Sequence, residues 1–183
     1  VNHVTVRNIY WRGIYASSAG GSFTIAENTV ENVQGNPGYS IAIFNWQGSG
    51  YFTNNKVDNA TDGIVSNWST GTVYSGNTVT NSGSGIHTDN NGGAGGNADI
   101  IQNNLVKNST ADGWGIWVFA PYLPVLVKDN TILNVDVGLS ADAEWSPEII
   151  TFSGNTVDGQ NKAGSYGVYF TTSTFWWGST NLL

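Results

Sequence analysis

The chain has 183 residues, with 24 Gly and 23 Asn, 13% aromatic and only 10% charged side chains. Gly and Asn favour turns and weaken helix interiors, and disordered chains lack aromatics, so a helical bundle and a disordered chain are both excluded. A net charge of −7 on six Lys+Arg argues against nucleic acid and anionic membranes as partners. No apolar run approaches the ~20 residues that span a bilayer, and the absence of Cys removes disulfide and thiolate chemistry.

In chain order, one motif recurs: Asn-x-aliphatic-x-Asn at 28–32, 55–59, 77–81, 104–108 and 130–134, with a sixth copy at 155–159 that ends in Gly. The spacings are 27, 22, 27, 26 and 25 residues, and Asn8 marks a degenerate earlier copy. After each copy comes a small residue followed by an aliphatic one: Gly13-Ile14, Ser40-Ile41, Gly63-Ile64, Gly85-Ile86, Gly115-Ile116, Gly138-Leu139 and Gly167-Val168. A repeat this short is not a propeller blade, and its period-two alternation is not helical.

Each repeat predicts three short strands. The first carries inward Ile14, Ile41, Ile64, Ile86, Ile116, Leu139 and Val168. The second carries Ile25, Phe52, Tyr74, Ile101, Val127 and Phe152, and the third Val30, Val57, Val79, Val106, Ile132 and Val157. Glu27, Asn54, Gly76, Asn103, Asp129 and Gly154 precede the motif, and most are types that tolerate a left-handed backbone. This predicts a sharp bend there, with the Asn that follows stacking on its equivalents as a ladder.

These residues resemble the right-handed parallel β-helix of the pectin-lyase-like superfamily. The expected fold is therefore an all-β, single-stranded parallel β-helix solenoid of about seven coils, three short strands per coil, with an Asn ladder at one corner. Residues 1–183 form one domain and are expected to be a segment of a longer chain. The expected cover for the last coil is an irregular segment, 171–183, packing through Phe175, Trp176 and Trp177. End-to-end stacking with itself, or with the remainder of the chain, is the alternative way to cover the terminal cores.

Loops cluster on both sides of the first strand, which marks its outward face as the binding face. One outward column reads Tyr15, Ala42, Val65, His87, Trp117, Ser140, Tyr169, and the next reads Ser17, Phe44, Asn67, Asp89, Phe119, Asp142, Thr171. The third-strand face reads Thr29, Lys56, Thr78, Leu105, Thr131, Thr156, a solvated sheet. Aromatic rings pack on the apolar faces of sugars, while Asn and Asp bond hydroxyls. The expected partner is thus a polysaccharide held by Trp117, Phe119, Phe44, Tyr169, Tyr15 and Asn67.

Asp89 and Asp142 share a column two coils apart, about 9.6 Å at the interstrand spacing. That is close to the ~6.5–9.5 Å carboxyl separation of inverting glycosidases, with His87 beside them as a third candidate catalytic residue. Asp89, Asn91 and Asp99 are candidate oxygen ligands for Ca²⁺ in a Gly-rich loop, weaker than the reading of that loop as a flexible connector with no cofactor. The resemblance also implies β-elimination or epimerisation of uronates. Against that, Arg12 and Lys162 are assigned to the corner before the first strand, leaving the outward columns without Lys or Arg. The sequons Asn59-Ala-Thr, Asn67-Trp-Ser and Asn108-Ser-Thr are expected by chance in so Asn-rich a chain. The resulting expectation is an extracellular or cell-surface β-helix that binds or cleaves a polysaccharide. The alternative is a non-enzymatic structural or adhesive segment of a cell-surface protein.

Overall fold

A computed structural model of the chain describes residues 1–36, 39–90, 97–110, 112–119, 121–142 and 149–171. Among the described residues twenty strands wind in order. The first coil holds β1 (Thr5–Ile9), β2 (Arg12–Ser17) and β3 (Ser22–Ala26), and the second β4 (Thr29–Val33), β5 (Ile41–Trp46) and β6 (Ser49–Thr53). The third holds β7 (Lys56–Ala60), β8 (Asp62–Ser69) and β9 (Val73–Ser75), and the fourth β10 (Thr78–Thr80), β11 (Ser84–Asn90) and β12 (Asp99–Gln102). The fifth holds β13 (Leu105–Lys107), β14 (Trp114–Phe119) and β15 (Val125–Lys128), and the sixth β16 (Thr131–Leu133), β17 (Val137–Asp142) and β18 (Ile150–Ser153). A partial coil, β19 (Thr156–Asp158) and β20 (Tyr166–Thr171), follows.

Every third strand pairs in parallel, giving three sheets. The third-strand sheet is β1-β4-β7-β10-β13-β16-β19, the first-strand sheet is β2-β5-β8-β11-β14-β17-β20, and the second-strand sheet has six strands from β3 to β18. This is the three-sided solenoid expected, with six complete coils and part of a seventh. The second-strand column runs Ile25, Phe52, Tyr74, Ile101, Val127, Phe152 in register. The third-strand column runs Val30, Val57, Val79, Val106, Ile132, Val157. Most of their members are fully buried.

The first-strand column corrects the expectation in one coil. Ile14 and Ile64 both pair with Ile43, not Ile41. Ile41 pairs with Arg12 and Asp62 and packs outside the solenoid with Phe44 and Val65. The small residue of that coil is Ala42, which is fully buried in the core cluster, so Ala42 leaves the outward column and Phe44 takes its place beside Tyr15. Ser40-Ile41 and Ala42-Ile43 fit the same two-residue pattern. The corner decides between them, because Ser40 is held there: its hydroxyl donates to the Tyr10 carbonyl at 2.7 Å and accepts from Asn36 N at 2.8 Å.

The need for a small residue has a steric cause. A Cβ on Gly85 would lie 2.4 Å from Val106 Cγ1 and 2.4 Å from the Gly115 carbonyl oxygen, and one on Gly138 would lie 2.4 Å from Val157 Cγ1. The first strand therefore turns two successive residues inward, and the first of them abuts the third-strand valine column.

The Asn ladder is present and continuous. Asn28, Asn55, Asn77, Asn104 and Asn130 each pass a side-chain N–H to the Oδ1 of the next member, ending on Asn155, at 2.8–3.0 Å. That same Oδ1 also accepts the backbone N–H of the preceding Asn at 2.9–3.0 Å. The remaining Nδ2 hydrogen goes to a main-chain carbonyl of the previous coil, such as Phe52 O from Asn77 and Tyr74 O from Asn104. All six residues before the ladder adopt positive φ, from 55° at Asn54, Asn103 and Asp129 to 69° at Gly76.

A second bend was not foreseen: the last Asn of the motif also has positive φ at Asn32, Asn59, Asn81, Asn108 and Asn134. Here the side chains form a more exposed set, with Asn59 donating to Asn32 and Asn32 to Asn8. Asn8 is thus the trailing Asn of a first coil whose ladder position is filled by Val4, whose N–H reaches Asn28 Oδ1.

Candidate functional face

The first-strand sheet presents three outward rows. The middle one runs Tyr15, Phe44, Val65, His87, Trp117, Ser140, Tyr169. The next begins Ser17, Trp46, Asn67, Asp89, continues at Phe119 in the following coil, and ends Asp142, Thr171. Trp46 stands where Phe44 was expected, as the same two-residue displacement requires.

Aromatic packing runs along the middle row. Tyr15 stacks on Phe44 with centroids 5.4 Å apart and 11° between planes. His87 stacks on Trp117 at 4.3 Å, and Trp117 meets Phe119 at 5.2 Å and Trp114 at 3.9 Å, both edge-on. Tyr166 and Tyr169 pair at 5.8 Å. Val65 interrupts the column and is itself buried. The face is thus anchored by side chains that support one another, with Tyr15 and Tyr169 more exposed towards its two ends.

His87 is not a solvated sheet residue. Burial beneath the aromatic cluster lowers its pKa to about 4, so the ring is neutral at neutral pH, and its Nε2 is buried with no hydrogen-bond partner. Tyr74, inside the solenoid, donates its hydroxyl to the His87 carbonyl at 3.3 Å. Asp89 is half-buried, and burial raises its carboxyl to about 6. Its neighbour across the ladder is Asn67, whose Oδ1 is also buried and unpartnered.

Asp142 lies opposite Phe119 in the adjacent coil. Asp89 and Asp142 therefore stand in one row on either side of the Phe119 position, about two interstrand spacings or ~9.6 Å apart along the backbone. Of the three proposed calcium ligands, Asn91 lies outside the described residues. Asp99 is fully buried and accepts hydrogen bonds from Thr72 N and Thr88 Oγ1, both at 2.7 Å. Among the described residues no group of three His, Cys, Asp or Glu side chains is placed to hold a metal.

The face does hold a cation. Arg12 belongs to β2, starting the third outward row, which runs Arg12, Ile41, Asp62, Ser84, Trp114. The assignment of Arg12 to the corner is thereby corrected, and with it the absence of any Lys or Arg from this face. The aromatic corners were also missed in the sequence. Among the described residues nine aromatic side chains are exposed: Tyr10, Trp11, Tyr15, Tyr39, Tyr51, Trp68, Tyr122, Tyr166 and Tyr169. All but Tyr51 lie in the first-strand sheet or at its two bordering corners. A corner aromatic has no period-two signature, so alternation could not find it.

The chain belongs to the right-handed β-helix family. The family model described as right handed beta helix region matches residues 42–181. No curated protein and no solved structure matches the chain. The family accounts for the three-sheet solenoid, a scaffold that serves carbohydrate-processing and structural roles alike.

Proposed function

We propose that this β-helix domain is an extracellular carbohydrate-binding module, with a polysaccharide lying along the outward face of the first-strand sheet. The observation that carries the reading is the placement, among the described residues, of eight of the nine exposed aromatics on that face and its corners. Exposed apolar surface concentrated on one face of a soluble domain marks an interaction site, and rigid aromatic rings among Asn, Asp and Ser suit sugar rings with their hydroxyls. The third-strand face, with its Thr-rich outward row, has no such content.

The test is affinity electrophoresis or calorimetry against a panel of soluble polysaccharides. Tyr15→Ala and Tyr169→Ala should weaken binding, while Tyr51→Ala, on the second-strand sheet, should leave it unchanged. Equal effects from all three, or no binding by the parent protein, would overturn the proposal and leave a structural or adhesive role.

Hydrolysis is the second reading, favoured by Asp89. A carboxyl raised to about 6 by burial is tuned towards general-acid work, and Asp142 stands across Phe119 as the second carboxylate. In this reading Asp89→Asn and Asp142→Asn abolish product formation and retain binding. Absence of reducing-end products from a polysaccharide that the protein binds would dismiss it.

A further inference from the structure

The N-terminal end of the face carries a second feature that the aromatic row does not use. The Arg12 guanidinium carbon lies 4.8 Å from the Trp11 ring centroid and 4.9 Å from that of Phe44. Its Nη1 is buried with no hydrogen-bond partner. Asp62 lies two coils further along the same row, across Ile41. Burial raises its carboxyl above the ordinary range, against the opposing pull of the Ser84 hydroxyl and of Arg12. The two charged groups do not meet in an ion pair. A donor and an acceptor therefore stand in one row, two coils apart, with the apolar Ile41 between them.

Beside them, Tyr10, Trp11 and Tyr39, with Asn36, line an open cleft of about 560 Å³. The three rings are 69%, 57% and 65% exposed. Trp11 belongs to both features, covering the guanidinium and walling the cleft.

We propose that this corner is a subsite for one uncharged sugar unit, its ring in the Tyr10–Trp11–Tyr39 cleft and its hydroxyls bridging Arg12, which donates, to Asp62, which accepts. Each sugar hydroxyl both accepts and donates, so different hydroxyls of one unit satisfy Arg12 and Asp62, which form no ion pair with each other. It would also relieve a buried donor whose lack of a partner is costly. The selection for an uncharged sugar follows from charge. Arg12 is the single Lys or Arg in the seven strands of this sheet, it is opposed by Asp62 in its own row, and the chain carries −7 overall. A sugar carboxylate reaching Arg12 would bring a second negative charge towards Asp62.

This inference rests on the carbohydrate-binding proposal, and one experiment separates them. Binding is measured to xylan, a mixed-linkage glucan, a mannan and polygalacturonate, with thermal melts to verify folding. A neutral polymer should bind, and Arg12→Gln, Asp62→Asn and Trp11→Ala should each weaken it by at least about tenfold, the loss of a hydrogen bond to a charged group or of an aromatic contact. Arg12→Lys retains the charge but not the planar guanidinium with its Nη1 donor and should also weaken binding, which covers the case in which Arg12→Gln fails to fold. If Tyr15→Ala weakens binding but Arg12→Lys and Asp62→Asn do not, the subsite is wrong and the general reading survives. Preference for polygalacturonate, tightened by Asp62→Asn, overturns the selection for an uncharged sugar. No binding to any polymer removes both proposals.

Discussion

Replacing Asn104 by Ala should destabilise the domain far more than removing an equivalent Asn from the outer corner. Asn104 is buried, and its side chain takes part in four hydrogen bonds: Oδ1 accepts from Asn77 N at 2.9 Å and Asn77 Nδ2 at 3.0 Å, and Nδ2 donates to Tyr74 O at 3.0 Å and Asn130 Oδ1 at 2.9 Å. Two of the four partners keep a second bond, Asn77 Nδ2 to Phe52 O and Asn130 Oδ1 from Asn104 N. The Asn77 backbone N–H does not, and a buried donor left without a partner costs roughly 1–3 kcal/mol, with about 1 kcal/mol for each further bond lost. The sum is about 4–6 kcal/mol, a large part of the roughly 5–15 kcal/mol typical of a domain.

The comparison is Asn134→Gly. Asn134 has a φ of 53° and donates one exposed bond to Asn108 Oδ1 at 3.1 Å. Gly keeps that backbone without strain, so the loss should be about 1 kcal/mol or less. Denaturant unfolding followed by tryptophan fluorescence reads both. Asn104→Asp sharpens the test, because it retains the acceptor but turns an oxygen towards Tyr74 O and Asn130 Oδ1, and it should be no milder than Ala. A loss of under about 1 kcal/mol for Asn104→Ala, or equal losses at the two corners, would refute the reasoning.

Three other outcomes follow from the same structure. Gly85→Ala should cost on the order of 1–3 kcal/mol in unfolding free energy, the range for forced overpacking, because its Cβ would sit 2.4 Å from both Val106 Cγ1 and Gly115 O. Gly167→Ala, with no described residue within 4 Å of the new Cβ, should be near neutral, and equal costs would contradict the steric account of the motif. Asp99 has its carboxyl raised to about 6, chiefly by burial. The folded state therefore holds the proton more tightly than the unfolded chain. The stability that this confers is present below about pH 4 and is lost as pH rises through about 6, a span worth about 3 kcal/mol. Asp99→Asn should remove most of that decline in unfolding measurements between pH 4 and 8, with a smaller decline of the same sign remaining from half-exposed Asp89; an unchanged slope would show that Asp99 is not its source. The His87 ring, neutral through burial, should titrate near pH 4 by proton NMR, and a midpoint of 6 or above would mean that the aromatic cluster does not enclose it.

The sequence by itself determined the solenoid, because its pattern is local and repeated. Six Asn in register, each two residues before an aliphatic, specify a ladder and a third-strand column, and a residue that tolerates positive φ before each specifies the bend. Alternation then orders the second-strand column without reference to any other coil. Where two local patterns were equivalent, only the tertiary structure decided. Ser40-Ile41 and Ala42-Ile43 both satisfy the small-then-aliphatic rule, and the hydrogen bonds that hold Ser40 at the corner select the second, which moves Phe44 by one row. Arg12 was placed wrongly for a related reason. The small residue turns inward along with the aliphatic that follows it, which breaks the alternation and returns the preceding residue to the outward face of the sheet. Period two carries no information about corners either, so the exposed rings of Tyr10, Trp11 and Tyr39 became a shared surface only once the coils stacked them along one side. Coil geometry is set by contacts within about one repeat of the chain, whereas a binding face is assembled across repeats and depends on their relative register.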